Sequence, residues 1–115
     1  MAVKEKMMGD IAVVRIKGKL MGGSETDECH VKVKEILAGG TRKVILDLSS
    51  VKWLNSRGLG MLMACFTSTK SAGGEFKLTG ASGKVNSLFM MTKLLTVFDT
   101  YSNVDQAIGS FKTKK

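Results

Sequence analysis

The chain has 115 residues, 43% of them hydrophobic and 24% charged, with a formal net charge of +8. That length suits a single domain spanning residues 1–115 with a core from about 3 to 111, and no apolar run is long enough to cross a bilayer as a helix. The opening MAVKEKMMGD lacks the apolar stretch of a secretory signal, so a cytoplasmic setting is expected, with Cys29 and Cys65 as reduced, buried thiols.

Val3 to Met8 and Ile11 to Leu20 are predicted strands joined at Gly9-Asp10, a pair suited to a tight hairpin turn. In the second, Val14 and Ile16 alternate with Arg15 and Lys17, so one face is wet. Met21-Gly22-Gly23 follows as a flexible loop. Ser24-Glu25-Thr26-Asp27 then has the form of a capping box opening a helix. Cys29, Val33, Ile36 and Leu37 recur at helical spacing, and Gly39-Gly40 ends the element.

The next stretch, Lys43 to Phe66, organises the rest. Val44-Ile45-Leu46-Asp47-Leu48 is a near-continuous run of strand formers, as in a central strand buried on both faces. Gly58 to Phe66 is apolar at nearly every position and reads as a deeply buried helix. Between them lies a polar elbow, Asn55-Ser56-Arg57-Gly58, which sets a hydroxyl at a helix N-terminus. There the first N–H groups lack intrahelical acceptors and the macrodipole leaves partial positive charge. Ser56 or Asn55 can cap them. Gly58 and Gly60 also clear side chains from around the hydroxyl, and a phosphate on Ser56 would meet free N–H donors with Arg57 adjacent. The residues alone leave both roles open, a plain cap and a modified, docking hydroxyl.

Farther along, Ala72-Gly73-Gly74 makes a break and Glu75 to Thr79 a strand. Ser82 to about Thr92 is a predicted helix with Val85, Leu88 and Phe89 inward. Gly80-Ala81-Ser82-Gly83-Lys84 is too short for a phosphate-binding loop and reads as the start of that helix. Val97 to Tyr101 is a short strand, and Ser102-x-x-Asp105 caps a last helix carrying Val104, Ala107, Ile108 and Phe111. The element order predicts an α/β fold with a four- to five-stranded mixed sheet and about four helices.

Enzyme readings find little support. His30 is the only histidine and is expected on the polar side of its helix; Cys29-His30 is adjacent rather than at chelating spacing. Asp47 is taken to end its strand near the elbow and to accept hydrogen bonds there. No general base faces an oriented nucleophile, so no catalysis, metal or cofactor is expected. The lysines are spread along the chain and only 6% of residues are aromatic. The charge is therefore expected to steer an acidic protein partner rather than hold nucleic acid.

The run Leu46-Asp47-Leu48-Ser49-Ser50-Val51, followed by Asn55-Ser56-Arg57-Gly58-Leu59-Gly60, resembles the signature of STAS domains. More narrowly, it resembles that of the bacterial anti-sigma factor antagonists. The resemblance runs from about Val3 to Phe111 and implies a single STAS-like domain. It implies that Ser56 is a phospho-acceptor and that Asn55, Arg57, Gly58, Leu59 and Gly60 bind a partner, together with the loop Met21, Gly22, Gly23 and Ser24. The family often has aspartate where Asn55 stands, serine or threonine in place of Arg57, and in many members aspartate in place of Met21, so this elbow is more positive. The implied function is partner switching. The unphosphorylated domain binds an anti-sigma factor that is also a serine kinase, phosphorylation releases it, and a PP2C-like phosphatase restores binding. The alternative is a STAS scaffold that is never phosphorylated.

Overall fold

The computed structural model describes residues 2–81, 85 and 98–113. Strands β1 (Ala2–Met8) and β2 (Ile11–Leu20) form the expected hairpin. Its turn needs Gly9, whose φ of 65° lies in the left-handed region that side chains disfavour. Helix α1 (Ser24–Ala38) leads to β3 (Lys43–Leu54), and α2 (Ser56–Ser71) leads to β4 (Glu75–Thr79). A short β5 (Asp99–Tyr101) and α3 (Val104–Thr113) complete the described elements. The predicted helix from Ser82 to Thr92 lies outside the described residues except for Val85, which is helical and buried. Val97, the predicted start of β5, lies outside them as well.

The sheet is mixed, in the order β1-β2-β3-β4-β5, with β1 antiparallel and every other pairing parallel. β3 is longer than the sequence indicates. The strand is expected to end at Asp47, yet the ladder with β2 carries it on to the pair Leu20↔Leu54. β2 has 10 residues and β3 has 12. Two register shifts, between Arg15 and Lys17 and between Gly18 and Lys19, take up the excess as bulges.

β3 is buried on both faces, as its composition predicts. Val44, Leu46 and Leu48 enter a large core with Val14, Ile16, Leu20, Val33 and Leu62 beneath α1 and α2. Ile45 enters a smaller one with Ile11, Val13, Ala107 and Phe111 beneath α3. The predicted inward residues of α1 (Cys29, Val33, Ile36 and Leu37) are all buried. Helix α2 departs from expectation. It is buried on one side only, through Gly58, Met61, Leu62, Cys65 and Thr69, and Gly60 is exposed.

Asp47 sits within β3 rather than at its end. Its hydrogen-bonding role is as expected. It accepts from Ser49 N–H at 3.1 Å, Thr79 Oγ1 at 3.2 Å and Arg15 Nε at 2.9 Å. Burial opposes its charged form, but the Ser49 N–H and Arg15 outweigh that and hold the carboxyl below its usual pKa. A second polar lock lies under α3. Lys77 is buried, donates to Asp99 at 2.6 Å and stands over the rings of Tyr101 and Phe111.

Two caps differ from their sequence assignments. Ser24 makes no side-chain cap; the N-cap of α1 is Gly23. At α3, Asn103 Oδ1 accepts from Gln106 N–H at 2.9 Å, and Gln106 Oε1 reaches back to Ser102 N–H at 3.2 Å. That arrangement stands one residue beyond the predicted Ser102-x-x-Asp105. The lysines are also less scattered than the chain order suggests. Lys4 faces Arg15 across the hairpin and Lys6 faces Val13, which gathers basic residues on the α3 side of the sheet.

Candidate functional site

The elbow forms where β2 and β3 stop together, at Leu20↔Leu54. Asn55 N–H donates to the Leu20 carbonyl at 3.1 Å, which ties the chain to the neighbouring strand as it leaves the sheet. Asn55 is then the N-cap of α2. Its extended backbone (φ −106°, ψ −170°) turns Oδ1 onto Gly58 N–H at 3.0 Å. The same side chain donates through Nδ2 to the Met21 carbonyl at 2.8 Å. One amide therefore caps the helix and holds the loop before α1 beside it. The sequence left the cap open between Asn55 and Ser56; the geometry assigns it to Asn55.

Ser56 is thereby released from capping. It is the first residue of α2 and is exposed, with its hydroxyl not engaged in the cap. The first turn of α2 contains no acidic residue, and Arg57 is exposed beside it. The Arg57 stem lies over Gly22, where a Cβ would come within 2.6 Å of Cδ, and Gly22 has a φ of 101°. Gly22 N–H in turn donates to Thr26 Oγ1 at 2.8 Å, which folds the loop back on α1.

The two glycines of the elbow differ in kind. A Cβ on Gly58 would collide with the Leu20 carbonyl oxygen, so the residue is buried where α2 crosses the end of β2. A Cβ on Gly60 would meet nothing within 4 Å. Leu59 packs partly against the large core. Met21 is 46% exposed and Ser24 is exposed. The structure thus brings Met21 against Asn55 and Gly22 against Arg57, and Gly58 and Leu59 serve the packing beneath them.

Behind the elbow a cleft of about 410 Å³ lies between the loop and the two helices, lined by residues including Gly23, Asp27, His30, Arg57 and Met61. His30 was expected on the polar side of α1; it is instead half-buried, with Nε2 3.0 Å from Ser68 Oγ on α2. Partial burial and Lys34 lower its pKa against the opposing pull of Asp27, so the ring is neutral near pH 7. Thr26, His30 and Met61 border the site without having been assigned to it from the sequence. Only their positions on the inner side of α1 and α2 hint at it. Among the described residues no group of three or more His, Cys, Asp and Glu side chains could hold a metal.

The STAS domain family profile matches residues 3–107. The chain belongs to the STAS domain family. A Thermotoga maritima protein assigned as an anti-sigma factor antagonist is 30% identical over 80 residues, which cover 70% of this chain and 71% of that protein. This STAS domain therefore falls among the anti-sigma factor antagonists. Its fold matches an anti-sigma factor antagonist from Mycobacterium paratuberculosis with a TM-score of 0.83 at 20% identity, covering 96% and 93% of the two chains. It also matches the anti-sigma factor antagonist SpoIIAA in its unphosphorylated form, with a TM-score of 0.76 at 16% identity over 98% and 100% of the chains. SpoIIAA is known in a phosphorylated form too, which this STAS domain matches with a TM-score of 0.74 at 17% identity, covering 96% and 99% of the chains. No helix among the described residues is long and apolar enough to cross a membrane.

Proposed function

We propose that this STAS domain is a cytoplasmic, non-enzymatic anti-sigma factor antagonist whose docking surface is the elbow and whose switch is Ser56. An anti-sigma factor with serine-kinase activity binds the unmodified domain through Met21–Ser24 and Asn55–Gly60. Phosphorylation of Ser56 ends that complex, and a PP2C-like phosphatase restores it. The observation that carries this reading is the exposed Ser56 hydroxyl at the first position of α2, left unused because Asn55 does the capping. The existence of a phosphorylated SpoIIAA supports it by analogy of fold.

A phosphate there is tolerated in the free domain. Helix-end N–H groups, the dipole and Arg57 favour negative charge, by about 0.3–1 kcal/mol for the dipole alone. In the complex the same charge would be buried against the partner, and an unpaired buried charge costs several kcal/mol. The switch is thus differential: neutral for the fold and adverse for docking.

Incubation with the cognate kinase and ATP, followed by mass spectrometry, should map the phosphate to Ser56 and lose it in Ser56→Ala. Because Ser56 is not the cap, that variant should melt within a few tenths of a kcal/mol of the wild type. Calorimetric titration with the anti-sigma partner should show Ser56→Asp binding at least tenfold more weakly, with Arg57→Ala in that background weakening it further. Equal affinities for wild type and Ser56→Asp would leave the scaffold reading in its place.

A further inference from the structure

We propose that the part of the sheet face left open by α3 is a docking surface for single-stranded nucleic acid. The parity of the strands builds it. Lys6 faces Val13 of the α3-side core, and Lys4 faces Arg15, so both lysines of β1 lie on that side. On β2, Ile16 and Leu20 turn into the opposite core, which leaves Lys17 and Lys19 on the same side as Arg15. Five exposed cations thus share one face of the β1–β2 hairpin. Among the described residues Lys4, Lys6, Lys17 and Lys19 form no ion pair. Arg15 gives its Nε to Asp47 and keeps a side chain 60% exposed. The expectation of no nucleic-acid partner rested on scattered charge and few aromatic residues; the sheet removes the first ground, and the second turns on one ring.

The second component is Trp53, the only tryptophan. It stands directly opposite Lys19 in the β2–β3 ladder and is half-buried, yet belongs to neither core cluster. A ring left outside both cores beside a row of cations is what base stacking needs, since every base offers a π-face. Alternate residues of a strand are about 6.6 Å apart, so Arg15, Lys17 and Lys19 can follow the successive phosphates of an extended strand. A flat sheet face does not enter the groove of a duplex as a helix or a two-stranded ribbon does, which favours a single strand. The backbone groups of β2 are committed to ladders on both sides, so a strand-adding peptide could pair only along the outer edge of β1, away from Lys17, Lys19 and Trp53.

The test is a fluorescence-anisotropy titration of a labelled fifteen-residue oligothymidylate with the full chain at low salt. Binding is expected, with quenching of Trp53 emission, and with affinity falling roughly tenfold to a hundredfold between 50 and 200 mM salt. Lys17→Glu with Lys19→Glu should weaken it at least tenfold. Trp53→Ala should weaken oligothymidylate about fivefold or more while leaving heparin binding unchanged, and Trp53→Phe should restore most of the loss. No anisotropy change at low salt overturns the proposal. So does an unaffected Trp53→Ala, which would mean simple polyanion adsorption, or tighter binding to phosphatidylglycerol vesicles than to the oligonucleotide, which would mean a lipid surface.

Discussion

The two helices that meet at the elbow begin in opposite ways. α2 starts on Asn55, whose one side chain bonds both Gly58 N–H and the Met21 carbonyl. α1 starts on Gly23, at φ 82° and with no side-chain cap, after a second glycine at φ 101°. One start is fixed by specific bonds and the other by backbone conformations open mainly to glycine. The hydroxyl proposed as the switch sits on the fixed start, and the loop proposed to accommodate a partner forms the adaptable one. A docking surface needs both, a rigid reference and a segment that can adjust.

The largest effect should come from breaking the fixed start at its base. Gly58→Ala drives a methyl into the Leu20 carbonyl and should cost about 3 kcal/mol, read as a lowered midpoint in urea with an unchanged slope. Asn55→Ala removes the cap and the Met21 tether together and should cost about 2 kcal/mol. Hydrogen exchange at Gly58 and in the loop should quicken together; acceleration at Gly58 alone would show that the tether does not couple the two starts. Gly23→Ala meets no neighbour but must hold φ 82° and ψ −164°, a region nearly confined to glycine, so about 1–2 kcal/mol of strain is expected. The smallest change should be favourable. Gly60→Ala fills open space on an exposed helical position and should raise stability by about 0.5–1 kcal/mol. Undiminished partner affinity in that variant would show that Gly60 does not serve close approach.

What the sequence made legible is what local pattern encodes. Glu75–Thr79 is a strand with the predicted bounds, since Phe76 and Leu78 alternate with polar residues between a glycine break and Gly80. The inward face of α1 followed from its spacing. Apart from the two caps displaced by one residue, the misses are non-local. Asp47 looks like a strand end until β2 pairs alongside the residues beyond it, and Ser24 looks like a cap until Gly23 takes the position. That Asn55 reaches Met21 depends on two strands ending level, which no window of residues shows. The basic face was hidden for the same reason: Lys4 and Arg15 become neighbours only through the register of a hairpin.

The bulges of β3 set the aim of the elbow. Strand pairing starts with Ile11 beside Lys43 and finishes with Leu20 beside Leu54, so the longer strand arrives level only because the two irregularities absorb its surplus. Each is in effect a phase correction, since a shift of one residue in a strand sends every later side chain to the opposite face. Take one out by deleting a residue such as Lys52, and the ladder becomes more regular while Asn55 swings away from the Met21 carbonyl. The irregular strand is thus the timing element of the domain: a tidier sheet would point its helix, and the serine on it, in another direction.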